Sequence, residues 1–150
     1  MPPDVAREPA PEAARLDLRP RLDPVELAVS RWPLGWSPGE PGSGFSALVS
    51  DDDEVTWVCA APLLAGQAGE APLAAEHGWR RVTFAGPLPW EQVGFLADVA
   101  GRLAGAQIPF TSIAGFTTDH VLVRAAQAEL AVAVLSGQPP PPARPGTTNP

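Results

Sequence analysis

Apolar positions in this chain fall into short runs of period two, broken by glycine and proline, with two stripes of helical period toward the C-terminal end. Val25 to Trp32 (VELAVSRW) predicts a first strand, and Pro33 to Gly44, dense in Gly and Pro, predicts a loop. Phe45 to Val49 and Val55 to Ala60 predict a hairpin closed by the acidic turn Asp51-Asp52-Asp53-Glu54. Pro62 to Gly78 is Ala-rich but interrupted by Gly66, Gly69 and Pro72, so it allows only a short helix. Trp79 to Ala85 predicts a strand, and Gly86-Pro87-Leu88-Pro89 a tight connection. Trp90 to Gly105 predicts a helix, with Val93, Leu96, Val99, Ala100 and Leu103 in one stripe and Pro89 and Glu91 suited to its first turn. Ile108 to Ala114 and Asp119 to Arg124 predict strands around the turn Gly115–Thr118. Ala125 to Leu135 predicts a second helix, with Gly137 as its C-cap.

The order of the C-terminal half is β-α-β-β-α, the core of the ferredoxin-like split βαβ pattern. The expected fold class is therefore α+β, an antiparallel sheet with helices on one face. Proline prevents a final strand after the last helix, so an earlier segment must cover that edge of the sheet, and Val25–Trp32 is the candidate. Phe45–Ala61 aligns without gaps on Phe110–Ala126 at an offset of 65 residues, which suggests tandem related halves. In the first half the loop 33–44 stands where a helix would be expected, so that half reads as degenerate. The expected organisation is a Pro-rich tail at 1–20, a degenerate first half at 21–76, a C-terminal domain at 77–137 and a second Pro-rich tail at 138–150. Residues 1–24 and 139–150 carry 12 of the 20 prolines, a composition that favours solvated, extended chain.

At 45% hydrophobic and 18% charged residues, the 150-residue chain has the material for a packed core. Its net charge is −7, and all ten basic residues are Arg. That balance argues against nucleic-acid binding, which needs clustered positive charge. Cys59 is the only cysteine, which excludes an internal disulfide and a cysteine-built zinc site. It lies in the apolar run Val55–Ala60 and reads as a buried small hydrophobe. No apolar h-region opens the chain and no apolar stretch approaches the length of a membrane span, so a cytoplasmic protein with no membrane partner is expected.

The stretch Gly78–Val123 carries a further set of features. They are Gly86-Pro87-Leu88 at a strand end, the aromatic Trp90, Val93-Gly94 before a long apolar helix, and the Ile/Phe/Ser-containing strand Ile108–Ile113. The pair Thr118-Asp119 and the strand Val121-Leu122-Val123 complete it. This combination resembles the C-terminal ACT domain of small bacterial proteins related to CASTOR, the cytosolic arginine sensors of animals. The chain departs from that pattern in three ways. His120 stands where the family usually has Tyr or Phe, the turn Gly115-Phe116-Thr117 replaces a Ser/Tyr-containing one, and the first half lacks an obvious helix.

The resemblance implies ferredoxin-like ACT subdomains in tandem, pairing between chains as a homodimer, and binding of a free amino acid without catalysis. It places the ligand between the loop after a subdomain's first strand and the facing hairpin. In this chain those positions are Gly86, Pro87, Leu88, Val93 and Gly94 on the loop side, and Ile113, Ala114, Thr117, Thr118 and Asp119 on the hairpin side. A helix start near Trp90 would offer amide N–H groups to the ligand carboxylate. Asp119 would meet the ammonium, Thr117 and Thr118 would add hydroxyls, and Ile113 and Leu88 would form walls. Asp119 could equally cap a turn. Trp90, Phe95, Phe110 and Phe116 read as core or interface residues. No cofactor and no metal site is expected.

Two other classes compete. An enzyme would need Cys59, Asp119 or His120 to act together, but Asp119 and His120 are adjacent strand residues and point to opposite faces. A protein-interaction module that pairs through its sheet and has lost the small ligand is the second alternative.

Overall fold

The computed structural model describes residues 16–39, 42–67 and 69–139. Most of the N-terminal tail 1–20 and all of the C-terminal tail 138–150 beyond Pro139 lie outside them. Ten elements follow in chain order. Strand β1 is Pro20–Trp32, β2 Ser46–Ser50, β3 Val55–Ala60, and α1 the short helix Ala61–Ala65. Then come β4 (Ala74–Phe84), α2 (Phe95–Gly105), β5 (Phe110–Ala114) and β6 (Asp119–Arg124). A 3₁₀ turn at Ala125–Gln127 leads into α3, Ala128–Leu135. The strands form one antiparallel sheet in the order β2-β3-β1-β4-β6-β5. The fold is α+β, as the sequence pattern requires, and the order reads the same from either edge, hairpin–long strand–long strand–hairpin.

The two long strands join the halves. The end of β1 pairs with β3 from Leu27↔Ala60 to Trp32↔Val55, while its start pairs with the end of β4 at Pro20↔Phe84, Arg21↔Thr83 and Leu22↔Val82. The start of β1 thus fills the edge position expected for Val25–Trp32, and the strand begins five residues earlier than its alternation suggested. A register shift between Leu22 and Glu26 absorbs Asp23-Pro24. Likewise β4 begins at Ala74, not Trp79, because Ala74, Ala75 and Glu76 pair with Arg31, Ser30 and Val29.

The two hairpins match, with a correction. Asp51 donates its N–H to Glu54 O at 3.1 Å and Gly115 donates its own to Thr118 O at 3.0 Å, an offset of 64 residues (51 to 115, 54 to 118). The gap-free sequence alignment at 65 is one residue out of step, which in a strand exchanges the two faces. At 64, Val58 matches Leu122, and both are buried together on one face.

All three helices lie on the other face. Over the second half, α2 and α3 bury Phe95, Val99, Leu103, Ala131 and Leu135 against Val82, Phe84, Val121 and Val123. Leu18, from the segment read as tail, is 3% exposed and belongs to this core. Over the first half, tryptophans take the place of the missing helix. Trp36, from the loop, stacks on Trp32 at 3.7 Å between ring centroids and stands 5.5 Å from Trp57. Trp32 Nε1 donates to Ser30 Oγ (2.8 Å), whose hydroxyl donates to Trp57 O (3.1 Å), and Trp57 Nε1 donates to Ser46 Oγ (2.9 Å). Cys59 is fully buried in this cluster.

The helix-free face curls on itself. Phe45 meets the edge of the His120 ring at 5.1 Å and lies under the Arg81 guanidinium at 4.4 Å. Arg81 in turn pairs with Asp23.

Candidate functional site

The region that the sequence marked lies at the end of β4, where the chain turns over the tip of the β5–β6 hairpin. Leu88 donates its N–H to Thr117 O at 2.8 Å, which ties loop to tip, and the Thr118 hydroxyl donates to Phe84 O at 2.9 Å. The hairpin tip is tight: a Cβ on Gly115 would sit 2.6 Å from Thr118 O, closer than any side chain allows.

Two concavities flank this joint. The first, of about 160 Å³, opens between the loop Leu88–Gln92, the first residue of α2 and the hairpin tip. Leu88, Ala114, Thr117, Thr118 and Asp119 line it, so five of the ten residues chosen from the sequence converge there. The Asp119 carboxylate has no hydrogen-bond partner among the described residues. Asp119 pairs with Ala114 across the hairpin while His120 pairs with Ile113, so the two neighbours face opposite sides of the sheet, as the strand period demands. The second concavity, of about 750 Å³, holds Gly86 and Pro87 together with Arg19 and Arg21. Thr117 and Thr118 are common to both walls.

Three of the expected residues stand apart. Val93 is 92% exposed and lines neither hollow. Gly94 precedes α2 with a φ of +88°, a left-handed conformation that glycine adopts without cost. Ile113 packs on the helix-free face with Leu27, Val58 and Leu122, because it alternates with Ala114 along β5.

The helix start is also displaced. Residues 90 and 91 form a turn, closed by Gln92 N–H donating to Pro89 O at 3.1 Å, and α2 begins at Phe95. Pro89 and Glu91 therefore lie outside its first turn, and amides at Trp90 are not its free N-terminal donors. Phe95, at the true start, lines the cleft. Sequence reasoning missed Gln92, which lines the same hollow; its signal was the polar residue between Trp90 and the helix-breaking Gly94. Of the four aromatics assigned to core or interface, Phe95 is buried and Phe110 half-buried, whereas Trp90 and Phe116 are 74% and 81% exposed. These two rings meet edge to face at 5.4 Å over the cleft mouth.

Burial holds the His120 imidazole below its usual pKa, and Arg81 pushes in the same direction against a smaller opposing pull from Asp119. Burial pushes the Cys59 thiol up to about 11. Cys59 packs on the helix side and His120 on the other, so they form no nucleophile–base pair. Among the described residues no cluster of three or more His, Cys, Asp or Glu side chains could hold a metal, and no helix is long and apolar enough to cross a membrane.

The fold is α+β and ferredoxin-like, an antiparallel sheet with its helices on one face. Residues 74–137, from β4 through α3, match a family model described as ACT domain. A protein from Agobacterium tumefaciens has a similar solved structure, with a TM-score of 0.69 and 21% identity over 81% of this chain and 89% of that one. A Vibrio cholerae protein of unknown function, described as a possible transport protein, follows at 0.61 and 24%, with the same coverage. The ligand-free regulatory subunit of aspartate kinase from Thermus thermophilus gives 0.54 and 14% over 81% of this chain and 98% of that one. At these identities the likeness is one of fold. No curated protein matches the sequence at a significant level.

Proposed function

We propose that this chain is a non-enzymatic regulatory module of the ACT type that binds a free amino acid in the cleft between Leu88–Gln92 and the β5–β6 tip. One observation carries the reading: Asp119, on the cleft wall, has no side-chain hydrogen bond or ion pair among the described residues, which leaves its carboxylate available to an ammonium group. Around it stand Thr117, Gln92 and the start of α2, whose free N–H groups suit a carboxylate. Leu88, Ala114 and Phe95 supply apolar wall. The fold shared with an aspartate kinase regulatory subunit supports a regulatory role, and the resemblance of residues 78–123 to CASTOR-type proteins supports an amino-acid ligand and action in the cytoplasm as a homodimer.

Thermal unfolding in the presence of each of the twenty amino acids tests this reading. A ligand that binds only the folded chain adds about 2.7 kcal/mol at a hundred times its Kd. The expected result is a saturable rise in Tm with at least one amino acid, lost in Asp119→Ala. No rise with any of them would refute it.

A second reading has its own support. Trp90, Phe116 and Val93 leave apolar surface exposed beside the cleft, as a protein-binding module would. It predicts that Phe116→Ser shifts a concentration-dependent dimer toward monomer in sedimentation, with no response to amino acids.

A further inference from the structure

We infer that the larger hollow at the start of β1 is a second site, one that takes an oxyanion through Arg21 and Arg19. Its volume of about 750 Å³ lies in the range of small-molecule sites, about 300–1,000 Å³. The charged residues that line it are Arg19 and Arg21, with no Asp or Glu among them, in a protein of net charge −7.

The other described arginines have partners. Arg31 pairs with Glu54, Arg81 with Asp23, Arg102 with Asp98 and Arg124 with Glu76. Arg80 donates twice to Asp23 O, at 2.9 and 2.7 Å. Arg21 has no hydrogen-bond or ion-pair partner among the described residues. Among the described residues the Arg19 side chain pairs with Asp17 alone, at 3.8 Å, with both side chains mostly exposed, a contact that binds a guanidinium weakly.

The backbone around them is specific. Arg19 has a φ of +40°, a conformation that residues other than glycine rarely adopt, and its carbonyl accepts the Ala85 N–H at 3.4 Å. Arg21 pairs with Thr83 inside the sheet, so its Cα is fixed by the strand ladder. Thr117, whose carbonyl accepts from Leu88, lines the hollow as well. A planar guanidinium with two parallel N–H groups fits phosphate and carboxylate oxygens alike. The ligand class is therefore a small anion presenting a phosphoryl or a carboxylate group. This inference goes beyond the amino-acid cleft and does not depend on it, although Thr117 and Thr118 border both.

Calorimetric titration of the full chain at low ionic strength with inorganic phosphate, and separately with succinate, tests it. The expected result is saturable binding of at least one. It should weaken at least tenfold in Arg21→Gln and in Arg19→Gln, fall with added sodium chloride, and persist in Asp119→Ala. Binding of phosphate alone assigns a phosphoryl ligand, and of succinate alone a carboxylate. Both arginines are exposed, and circular dichroism checks that the variants fold. Failure of both anions to bind, or binding unchanged in both arginine variants, overturns the proposal whatever the amino-acid screen returns.

Discussion

Arg102 forks the carboxylate of Asp98 one turn earlier in α2, Nε to Oδ1 at 2.9 Å and a terminal nitrogen to Oδ2 at 2.8 Å. The same guanidinium donates to Leu135 O (2.7 Å) at the end of α3 and to Leu16 O (2.6 Å), while Leu16 N–H donates back to Asp98 at 3.0 Å. One buried ion pair thus fastens the chain leading into β1 to both helices. Arg102→Leu strands a carboxylate and two carbonyls, and is expected to lower unfolding free energy by about 3–5 kcal/mol. Arg102→Lys, which cannot fork, should recover only part of it. Urea denaturation reads both.

The tryptophan cluster in the first half substitutes for a helix and should behave as core. Trp32→Ala is expected to cost about 3–5 kcal/mol, since Trp32 is fully buried. Trp36→Ala removes the stacked partner, worth about 0.5–1.5 kcal/mol beyond its burial, and should shift tryptophan emission to the red. Denaturant titrations followed by fluorescence compare the two.

His120 gives stability a pH dependence near neutrality. Its folded pKa lies below the unfolded value of 6.5, so between the two the unfolded chain binds more protons. Stability is then complete above pH 6.5 and declines as pH falls through that value toward the lower folded pKa. His120→Gln should flatten that slope. Asp23, held below 3.8 by its Arg81 hydrogen bond and the Val25 N–H despite the opposing effect of burial, contributes stability above 3.8 that is lost only in stronger acid, so the two titrations separate. Unfolding measured from pH 3 to 8 resolves them.

Cys59 should be inert while the protein is folded. A buried thiol with a pKa near 11 carries almost no thiolate at pH 8. Ellman's reagent is expected to leave it unmodified in buffer and to titrate one thiol in denaturant. Prompt labelling of the native protein would contradict the packing described for β3.

Gly115→Ala tests the hairpin tip. The added methyl must displace Thr118 O, at an expected cost of about 1–3 kcal/mol. Because Thr117 and Thr118 border the cleft proposed for the amino acid, any ligand-induced rise in Tm should also shrink.

The sequence is most legible where an element is fixed by its own residues. Val55–Ala60 and Asp119–Arg124 were expected to the residue, because dense apolar runs there are bounded by turns. Ala74–Gly78 gave no strand signal: Ala, Glu, His and Gly favour strands poorly, and they are extended only because β1 lies alongside. Val93 extended the apolar stripe of α2 by one turn, but the left-handed Gly94 cuts the helix after it. The same limits governed the cleft. Leu88, Thr117, Thr118 and Asp119 follow from a loop and a tip that must meet. Ile113 was misplaced by a single step of strand alternation, and Arg19 and Arg21 reach their hollow through pairing across more than 60 residues.

The sharing of β1 means that the matched segment is not an autonomous unit. The segment 74–137 matches a family model, yet on its own it would expose the flank of β4 that β1 covers and would lose Leu18 from beneath its helices. A fragment beginning at residue 74 should therefore stay unfolded or seek a substitute strand from a neighbour. A polypeptide from Leu16 to Pro139 contains every ladder partner and should melt as one cooperative unit.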